Sequence, residues 1–412
     1  MDLKKYKKKR IVPRGWKEIT IGDVFRTSSG ATPLSTEVSY YANGTIPWIN
    51  SGELDNPYIY DTTNFISQKG FENSSTEIYP IDTVLVAMYG ATAGKASILK
   101  MEACTNQAVC AILPNKEYSS IFLKYSIDTL YDHLVGLSSG SARDNLSQTE
   151  LKKLKLIMPV TKREQDNIVS ILSLIDRKIE LNRLINQNLE AMAKQLYDYW
   201  FVQFDFPNEE GKPYKSSGEV MVYNERLGRE IPQGWSTMPI SEILDKYPTT
   251  KRYETKEYLS CGKYPIIDQS DSYIAGFTNE IDHLLTRHPA VLFGDHSTKV
   301  KFLDFDFARG ADGTQILYSS NKAVSQYYLY LAVSALQIPN PGYSRHFKYL
   351  KELPIIIPDL KIANKFKNIV KPLFEEWTKN IFCNIELTKQ SNELLPLLMN
   401  GQVSVNSDLS AY

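Results

Sequence analysis

One five-residue pattern occurs twice in this chain and marks the start of a repeated unit. Residues 12–16 read VPRGW and residues 231–235 read IPQGW, 219 positions later. Each is followed by short β-like runs that Gly, Asn, Asp and Pro separate. Each region then closes on a strand-like segment, LKKLKLIMP at Pro159 and LKELPIIIP at Pro358, before a long helical stretch. Repetition on this scale predicts two related globular domains, each joined to its own helix.

The first long helix carries a heptad pattern. Residues 164–200 contain neither Pro nor Gly, and a helix of about 37 residues would be roughly 55 Å long at ~1.5 Å per residue. Apolar residues recur at alternating spacings of four and three, with two asparagines in the centre of the series. The predicted coiled-coil seam consists of Ile168, Leu172, Ile175, Ile179, Asn182, Asn186, Leu189 and Leu196.

Two interpretations of this helix stay open. It could lie singly on one domain, but the 3.5-residue period favours a coiled-coil partner. A buried Asn in such a seam costs stability and fixes the register and orientation of the partner. The second helical stretch, from about 362 to 400, has no clean heptad, so its pairing register is not predicted.

The fold class predicted from these patterns is α+β, with two mixed α/β domains and two long helices in a repeated order. A polar, turn-rich linker, FDFPNEEGKPYKSSG, follows the first helix. The expected division is a first domain, a central helix, a linker with a second domain, a distal helix and a tail, at residues 1–160, 161–205, 206–360, 361–403 and 404–412.

The composition is that of a soluble globular protein, with 42% hydrophobic and 23% charged residues. No apolar run reaches the ~18 residues that span a membrane, and no apolar signal segment follows the basic start MDLKKYKKKR, so we expect a cytoplasmic protein. That basic start is either a solvated terminus or an arm for a nucleic-acid backbone. The four cysteines are scattered, which predicts reduced thiols. The formal net charge is zero, which argues against a surface that binds phosphate everywhere.

Motifs for catalysis are incomplete in this sequence. GATAGKAS differs from a phosphate-binding loop because three residues, not four, separate its glycines and Ala96 follows the lysine. NPY at residues 56–58 lacks one proline of the motif found in amino-methylating DNA methyltransferases. The five histidines show no metal-ligand spacing. The sequence therefore favours a binding or organising role, with no catalytic residue and no metal site predicted.

Two short sequence patterns recur in both halves of the chain and suggest where binding residues lie. YGATAGK (residues 89–95) and FGDHSTK (residues 293–299) both place Gly and Lys five apart, and GSARDN and GYSRHF both place Arg three residues after Gly. Such loops could present basic groups to phosphates or to base edges. The DNA-binding candidates are Lys95, Arg143, Asn145, Lys299, Arg309, Arg345 and His346. For each of them, a role in capping or pairing within its own domain is the alternative.

The order and duplication of these segments resemble one known family, the specificity (S) subunits of type I restriction–modification systems. The segments that carry the resemblance are VPRGWKEITIGDVF, IPWIN, MYGATAGKASI, TNQAV, NLSQTELKKLKLIMP and the helix that begins EQDNIVSILSLIDRKIELN. In the second half they are IPQGW, GKYPIIDQSDSYIAGFT, GTQIL and LKELPIIIP. The match covers nearly the whole chain, although the second domain has no clear counterpart of IPWIN.

The resemblance implies a non-catalytic subunit. The two domains would be target recognition domains, each reading one half of a bipartite DNA site, and the two helices would pair as an antiparallel coiled coil with pseudo-twofold symmetry. The helices would set the spacer and dock two modification (methyltransferase) subunits, and restriction subunits would complete the complex. S-adenosylmethionine, ATP and Mg are expected in the partner subunits and no cofactor in this chain. Two rival functions stay open, a stand-alone DNA adenine methyltransferase and a coiled-coil scaffold that does not bind DNA.

Overall fold

The computed structural model describes residues 12–90, 92–139, 146–245, 250–311, 313–339 and 345–403. The chain divides into two compact units. The first consists of Met1–Glu180 with Ile385–Tyr412, and the second of Leu181–Asn384. Both mix helices and strands, which confirms the predicted α+β class. The basic amino-terminal arm and the tail 404–412 lie outside the described residues.

The first unit begins with a mixed domain and ends on helices. Its strands in chain order are β1 (Trp16–Thr20), β2 (Thr27–Ser29), β3 (Ile46–Ile49), β4 (Tyr58–Ile59), β5 (Phe65–Ile66), β6 (Val84–Ala87), β7 (Ala96–Leu99), β8 (Cys104–Thr105), β9 (Val109–Ile112) and β10 (Lys155–Pro159). Its helices are α1 (Ile21–Val24), α2 (Gln68–Glu72), α3 (Ser120–Asp128), α4 (Tyr131–Ser139), α5 (Gln148–Lys152) and the first half of α6 (Lys162–Tyr197).

A five-stranded sheet in the order β2-β9-β6-β7-β4 forms the centre of the first domain, and β5-β3-β8 forms a smaller sheet. All four residues of β6 and all four of β9 are buried, so these strands are apolar throughout instead of alternating with polar residues. Helix α3 packs against β6 and β7. The side chain of Ser119 caps its start by accepting a hydrogen bond from the Phe122 N–H.

The second unit contains the second domain. Its strands are β11 (Met221–Asn224), β12 (Arg229–Pro232), β13 (Ser236–Pro239), β14 (Arg252–Tyr253), β15 (Tyr264–Ile267), β16 (Gly276–Thr278), β17 (Leu284–Leu285), β18 (Ala290–Gly294), β19 (Val300–Leu303), β20 (Phe307–Gly310), β21 (Thr314–Leu317) and β22 (Pro354–Ile357). Its helices are α7 (Ile240–Ile243), α8 (Gln326–Ala335), α9 (Phe347–Glu352) and most of α10 (Leu360–Met399), and a π-helical turn, Asp198–Val202, extends α6.

The two domains share a three-strand motif and differ around it. The order β9-β6-β7 with α3 in the first domain corresponds to β21-β18-β19 with α8 in the second. Ser325 caps α8 as Ser119 caps α3. The remaining sheet of the second domain, β14-β20-β15-β16 with β17 paired to β20, contains parallel and antiparallel pairs and has no equivalent order in the first.

The repeated Pro-x-Gly-Trp pattern forms the same turn twice. In each copy the Trp N–H donates to the Pro carbonyl oxygen at 3.1 Å, for Trp16 to Pro13 and for Trp235 to Pro232. The glycines have φ of +83° and +82°, a left-handed conformation that a type II turn requires at its third residue. The strand after each turn then pairs with the closing strand of its own domain, β1 with β10 and β13 with β22. The first and last segments of each domain are thus held together by strand pairing.

The long helices pack against each other within each unit. In the first unit, Val169 and Leu172 of α6 lie in one hydrophobic core with Leu398 and Met399 of α10. In the second unit, residues from the end of α6 and the start of α10, including Ala193 and Phe366, share another core. In each unit an early part of one helix meets a late part of the other, so the pairing is antiparallel.

Asparagine pairs define the register of this pairing in the second unit. Asn182 Nδ2 donates to Asn384 Oδ1 at 2.8 Å, and Asn380 Nδ2 donates to Asn186 Oδ1 at 3.0 Å. A step of four residues towards the carboxyl end of α6 therefore corresponds to a step of four residues towards the amino end of α10. The structure thus supplies the register of the distal helix that the sequence left open.

The predicted seam residues of α6 are buried to different degrees. Leu172, Asn182 and Asn186 are buried, whereas Ile168, Ile175, Ile179, Leu189 and Leu196 are half-buried. The other deeply buried positions on this helix include Gln165, Val169, Asp176 and Ala193. Gln165 accepts from the Ser119 N–H at 2.8 Å and Asp176 accepts from the Tyr125 hydroxyl at 2.6 Å. The first domain therefore covers a second face of α6, which the heptad pattern does not reveal.

Candidate nucleic-acid interface

The first recurring sequence pattern, YGATAGK, forms a hairpin turn between β6 and β7. The Gly94 N–H donates to the Ala87 carbonyl at 2.9 Å, and the Lys95 N–H donates to the Thr92 carbonyl at 2.9 Å. Gly90 and Gly94 have φ of +79° and +85°, so both use the left-handed conformation that glycine permits. The turn therefore joins two antiparallel strands, whereas the phosphate-binding loop of nucleotide-binding proteins joins a strand to a helix.

Several loops converge on this turn and form what we call the first loop cluster, residues 88–90, 92–95, 50–51, 106–107 and 146. The Leu146 N–H donates to the Met88 carbonyl at 3.0 Å. The Thr92 hydroxyl donates to the Ser51 carbonyl at 2.8 Å, and Asn106 donates to Asn50 at 3.0 Å. The candidates Arg143 and Asn145 lie outside the described residues.

The second domain has an equivalent hairpin between β18 and β19. The Gly294 N–H donates to the Lys299 carbonyl at 2.8 Å, and the Thr298 N–H donates to the Gly294 carbonyl at 2.9 Å. Gln269 supports this turn, since its Oε1 accepts from the backbone N–H groups of His296 (3.0 Å) and Ser297 (3.3 Å).

The Arg-bearing segment of the second domain reaches the same hairpin. The His346 N–H donates to the Asp295 carbonyl at 2.9 Å, and the Phe347 N–H donates to Asp295 Oδ1 at 2.8 Å. We call residues 294–299, 269, 313 and 345–347 the second loop cluster. In the second domain the two recurring sequence patterns thus meet at one place, which their separation in the chain, by roughly 50 residues, did not predict.

The candidates of the second domain lie in different environments. Arg345 is exposed. Arg309 is buried, with its Nε donating to Thr314 Oγ1 at 2.9 Å, and burial lowers the pKa of its guanidinium to about 10. His346 is also buried, with Nδ1 3.3 Å from the Pro339 carbonyl oxygen. These contacts favour the intradomain role for Arg309 and His346, and they leave Arg345 as the accessible cation of its segment.

Both hairpin lysines form ion pairs at the surface. Lys95 pairs with Asp55, and Lys299 pairs with Asp271 at 2.8 Å. The Lys299 ammonium lowers the pKa of the Asp271 carboxyl. Exposed pairs of this kind contribute about 0–1 kcal/mol, so a phosphate can compete for either lysine at low cost. The DNA-contact role of both lysines stays a prediction.

Two glutamines in these clusters were not among the predicted residues. Gln107 is exposed in the first cluster, where its Oε1 lies next to the Thr32 hydroxyl, and Gln269 is half-buried in the second. Glutamine amides can form paired hydrogen bonds with adenine. Each follows an Asn or Asp at a strand end, in TNQAV and in PIIDQS, and this similar position of the two glutamines was the available signal.

The described residues contain no group of three or more His, Cys, Asp or Glu side chains that could hold a metal ion. The two loop clusters offer amides, hydroxyls, a guanidinium and amines as hydrogen-bonding groups, and these suit recognition of base edges and phosphates. Within the described part of the chain, no helix is both long and apolar enough to cross a membrane.

Comparisons with known proteins identify the family. The model of the type I restriction modification DNA specificity domain matches residues 13–191 and 232–387. The type I restriction enzyme MjaIX specificity subunit of Methanocaldococcus jannaschii is 29% identical, with 96% of this chain and 95% of that protein aligned. The EcoR124I/EcoR124II specificity subunit of Escherichia coli is 22% identical over 47% of this chain and 49% of its own length.

A solved structure has the same fold. The crystal structure of the type I restriction–modification system S subunit from M. genitalium matches with a TM-score of 0.56 and 17% identity, over 93% of this chain and 96% of that one. The two matched segments, 13–191 and 232–387, each contain one domain and most of the helix after it. The chain therefore belongs to the family of type I restriction–modification DNA specificity proteins.

Proposed function

We propose that this chain is the DNA-specificity subunit of a type I restriction–modification complex. Each domain reads one half of an asymmetric bipartite site, and the two long helices set the spacer between the halves. The observation that carries this proposal is the duplication itself. One hairpin and one capped helix recur in the two domains, and an Arg-bearing sequence pattern recurs with them, in a family that is defined by DNA specificity.

The differences between the domains support two unlike half-sites. The loops around the shared three-strand motif come from sheets with different strand orders. The cluster residues differ as well, with Asn106 and Gln107 in the first and Gln269 and Arg345 in the second. Different donors and acceptors on a shared scaffold select different bases, because each base pair presents its own pattern in the major groove.

The outer face of α6 is a docking surface for the modification subunits. In the second unit this surface consists of Leu181, Leu184, Ile185 and Met192, which are 42–49% exposed. At 100° per residue they lie within about 100° of one another around the helix. A contiguous exposed apolar stripe on an otherwise polar helix is typical of a protein–protein interface. The restriction subunits would join through the assembled complex.

The catalytic steps belong to the partner subunits in this proposal. S-adenosylmethionine would bind the modification subunits, and ATP and Mg the restriction subunits. The rival function, a stand-alone DNA adenine methyltransferase, requires that this chain bind S-adenosylmethionine itself. Titration calorimetry of the purified chain with S-adenosylmethionine separates the two functions, and we expect no binding heat. Saturable binding would favour the rival.

A domain exchange tests the function directly. Residues 236–357, from β13 to β22, are replaced by the matching domain of a family member with a known site, and the methylome of the host is sequenced. We expect one half-site to change and the other half-site to remain. An unchanged methylated motif would contradict the proposal.

A further inference from the structure

Four asparagines form a polar cluster between α6 and α10 in the second unit. Asn182, Asn186 and Asn380 are 1%, 9% and 6% exposed, and Asn384 is half-buried. Beside the two amide–amide bonds already described, Asn186 Nδ2 donates to the backbone carbonyl oxygen of Trp377 at 3.0 Å. Asn186 therefore bonds both a side chain and the backbone of the facing helix. The cluster is specific to one arrangement of the two helices.

The cluster is not the arrangement that would give the highest stability. The side-chain oxygen of Asn182 is buried and has no hydrogen-bond partner in the protein, and neither has the buried hydroxyl of nearby Thr378. Well-packed apolar side chains at such positions are often as stable as a polar cluster or more so. The asparagines are therefore better explained by the alternative helix registers that they exclude than by a gain in stability.

A slip of the helices by one heptad would break every bond of the cluster. Since Asn186 faces Asn380, one heptad in either direction places a leucine, Leu373 or Leu387, opposite Asn186. The same slips place Ile179 or Ala193 opposite Asn380. A buried amide that faces an apolar side chain has lost its water and gained no partner, which penalises both slipped registers. Apolar residues at these positions would accept all three registers.

We propose that Asn182, Asn186, Asn380 and Asn384 lock the register of the two long helices and thereby determine the spacer length of the DNA site. Only the second claim, that the register determines the spacer length, rests on the proposed function. A slip of seven residues slides one helix along the other by about 10 Å at ~1.5 Å per residue. That distance corresponds to about three base pairs of a duplex with a ~34 Å turn.

The register can be measured without DNA by electron spin resonance. Spin labels are placed on the exposed positions Gln195 of α6 and Lys379 of α10 in the full chain, with Cys261 and Cys383 replaced by serine. In the native register these positions are offset by eight residues along the pair, and a heptad slip changes the offset by about 10 Å. Double electron–electron resonance then reports how many distances are populated.

The decisive variant is Asn186→Leu with Asn380→Leu. We expect the protein with all four asparagines to show one distance. The double variant should show at least two distances, because a heptad slip changes the offset from eight residues to one or to fifteen, with an equal or higher thermal midpoint. The matched control is Gln187→Leu, an exposed position of the same helix, which should keep the single distance. A single native distance in the double variant would overturn the proposal.

A second double variant tests the same proposal if the first double variant fails to fold. Asn182→Leu with Asn384→Leu removes the other amide–amide bond, and the same broadening is expected. Methylome sequencing with either variant should then show the native half-sites at more than one spacing. Broadened label distances with an unchanged spacing would leave the register claim intact and would contradict the spacer role of the helices.

Discussion

The backbone N–H of His346 donates a hydrogen bond to the carbonyl oxygen of Asp295, 2.9 Å away. This bond ties the segment that carries Arg345 to the hairpin that carries Lys299. In the first domain the Leu146 N–H donates to the carbonyl oxygen of Met88, beside the corresponding hairpin, at 3.0 Å. The second domain thus presents a basic hairpin and Arg345 as one unit.

Replacement of Arg345 by alanine should weaken binding of the assembled complex to its site by about 1–3 kcal/mol, since an exposed guanidinium in this position would make a paired contact with guanine. Fluorescence anisotropy with duplexes altered in one half-site measures this loss. The loss should depend on the half-site that the second domain reads and should vanish when that half is changed. Lys367→Ala, the loss of an exposed cation on α10, is the control. An equal loss for both variants would show a non-specific charge effect.

The stability of the protein should rise with pH above 8 because of Lys301. This lysine is buried on β19, donates to the Ser272 carbonyl at 2.5 Å, and lies near Asp268, Asp271 and Lys299. Burial lowers its pKa to about 8 from an ordinary value of 10.5. Between these values the unfolded chain holds a proton that the folded chain has lost, so the free energy of unfolding increases with pH.

Urea unfolding at pH 8 and 9.5 tests this sign. The contribution of Lys301 over that interval is at most about 2 kcal/mol, since one proton is involved. Lys301→Met should flatten the dependence, whereas Lys299→Met, at the exposed neighbour, should keep it. Equal slopes in the parent and Lys301→Met would contradict the assignment.

Replacement of Ile185 by glutamate should prevent assembly with the modification subunits. Ile185 lies in the exposed stripe of α6, and a carboxylate there would be buried without a partner in the complex. Co-purification from a host that expresses all subunits measures assembly. Arg183→Glu, which changes charge elsewhere on the same helix turn, is the control for loss of fold. Normal assembly of Ile185→Glu would exclude this face as the docking surface.

Insertion of one heptad into both long helices should lengthen the spacer. Seven residues are added between Asn182 and Asn186 of α6 and seven between Asn380 and Asn384 of α10, so that both strands of the pair grow together. The methylated half-sites should keep their bases and move apart by about three base pairs. Changed half-site bases would show that the helices take part in base recognition.

Much of the fold follows from the sequence because the same local chemistry occurs twice. Pro13 and Gly15, like Pro232 and Gly234, specify one turn, and the apolar run of β6 predicts a strand buried on both faces. Local patterns of this kind depend on neighbouring residues alone. They therefore predict where each domain opens, where it closes and where α6 begins.

The remaining features depend on contacts between distant residues. Nothing in the heptad of α6 shows that Asn380 and Asn384 lie opposite its asparagines, since the distal helix has no clean period. A sequence pattern likewise cannot tell that Thr314 sequesters Arg309 while Arg345 stays exposed. Residue type identifies groups that can bind DNA, and only tertiary packing decides which of them are free to do so.

Sequencing of the methylome of a host that carries the intact system, and of the same host with this gene deleted, tests the central claim most directly. The account predicts one bipartite motif of two unlike half-sites at a fixed spacing, present with the gene and absent without it. A contiguous or palindromic motif, or a motif that persists after deletion, would contradict the account.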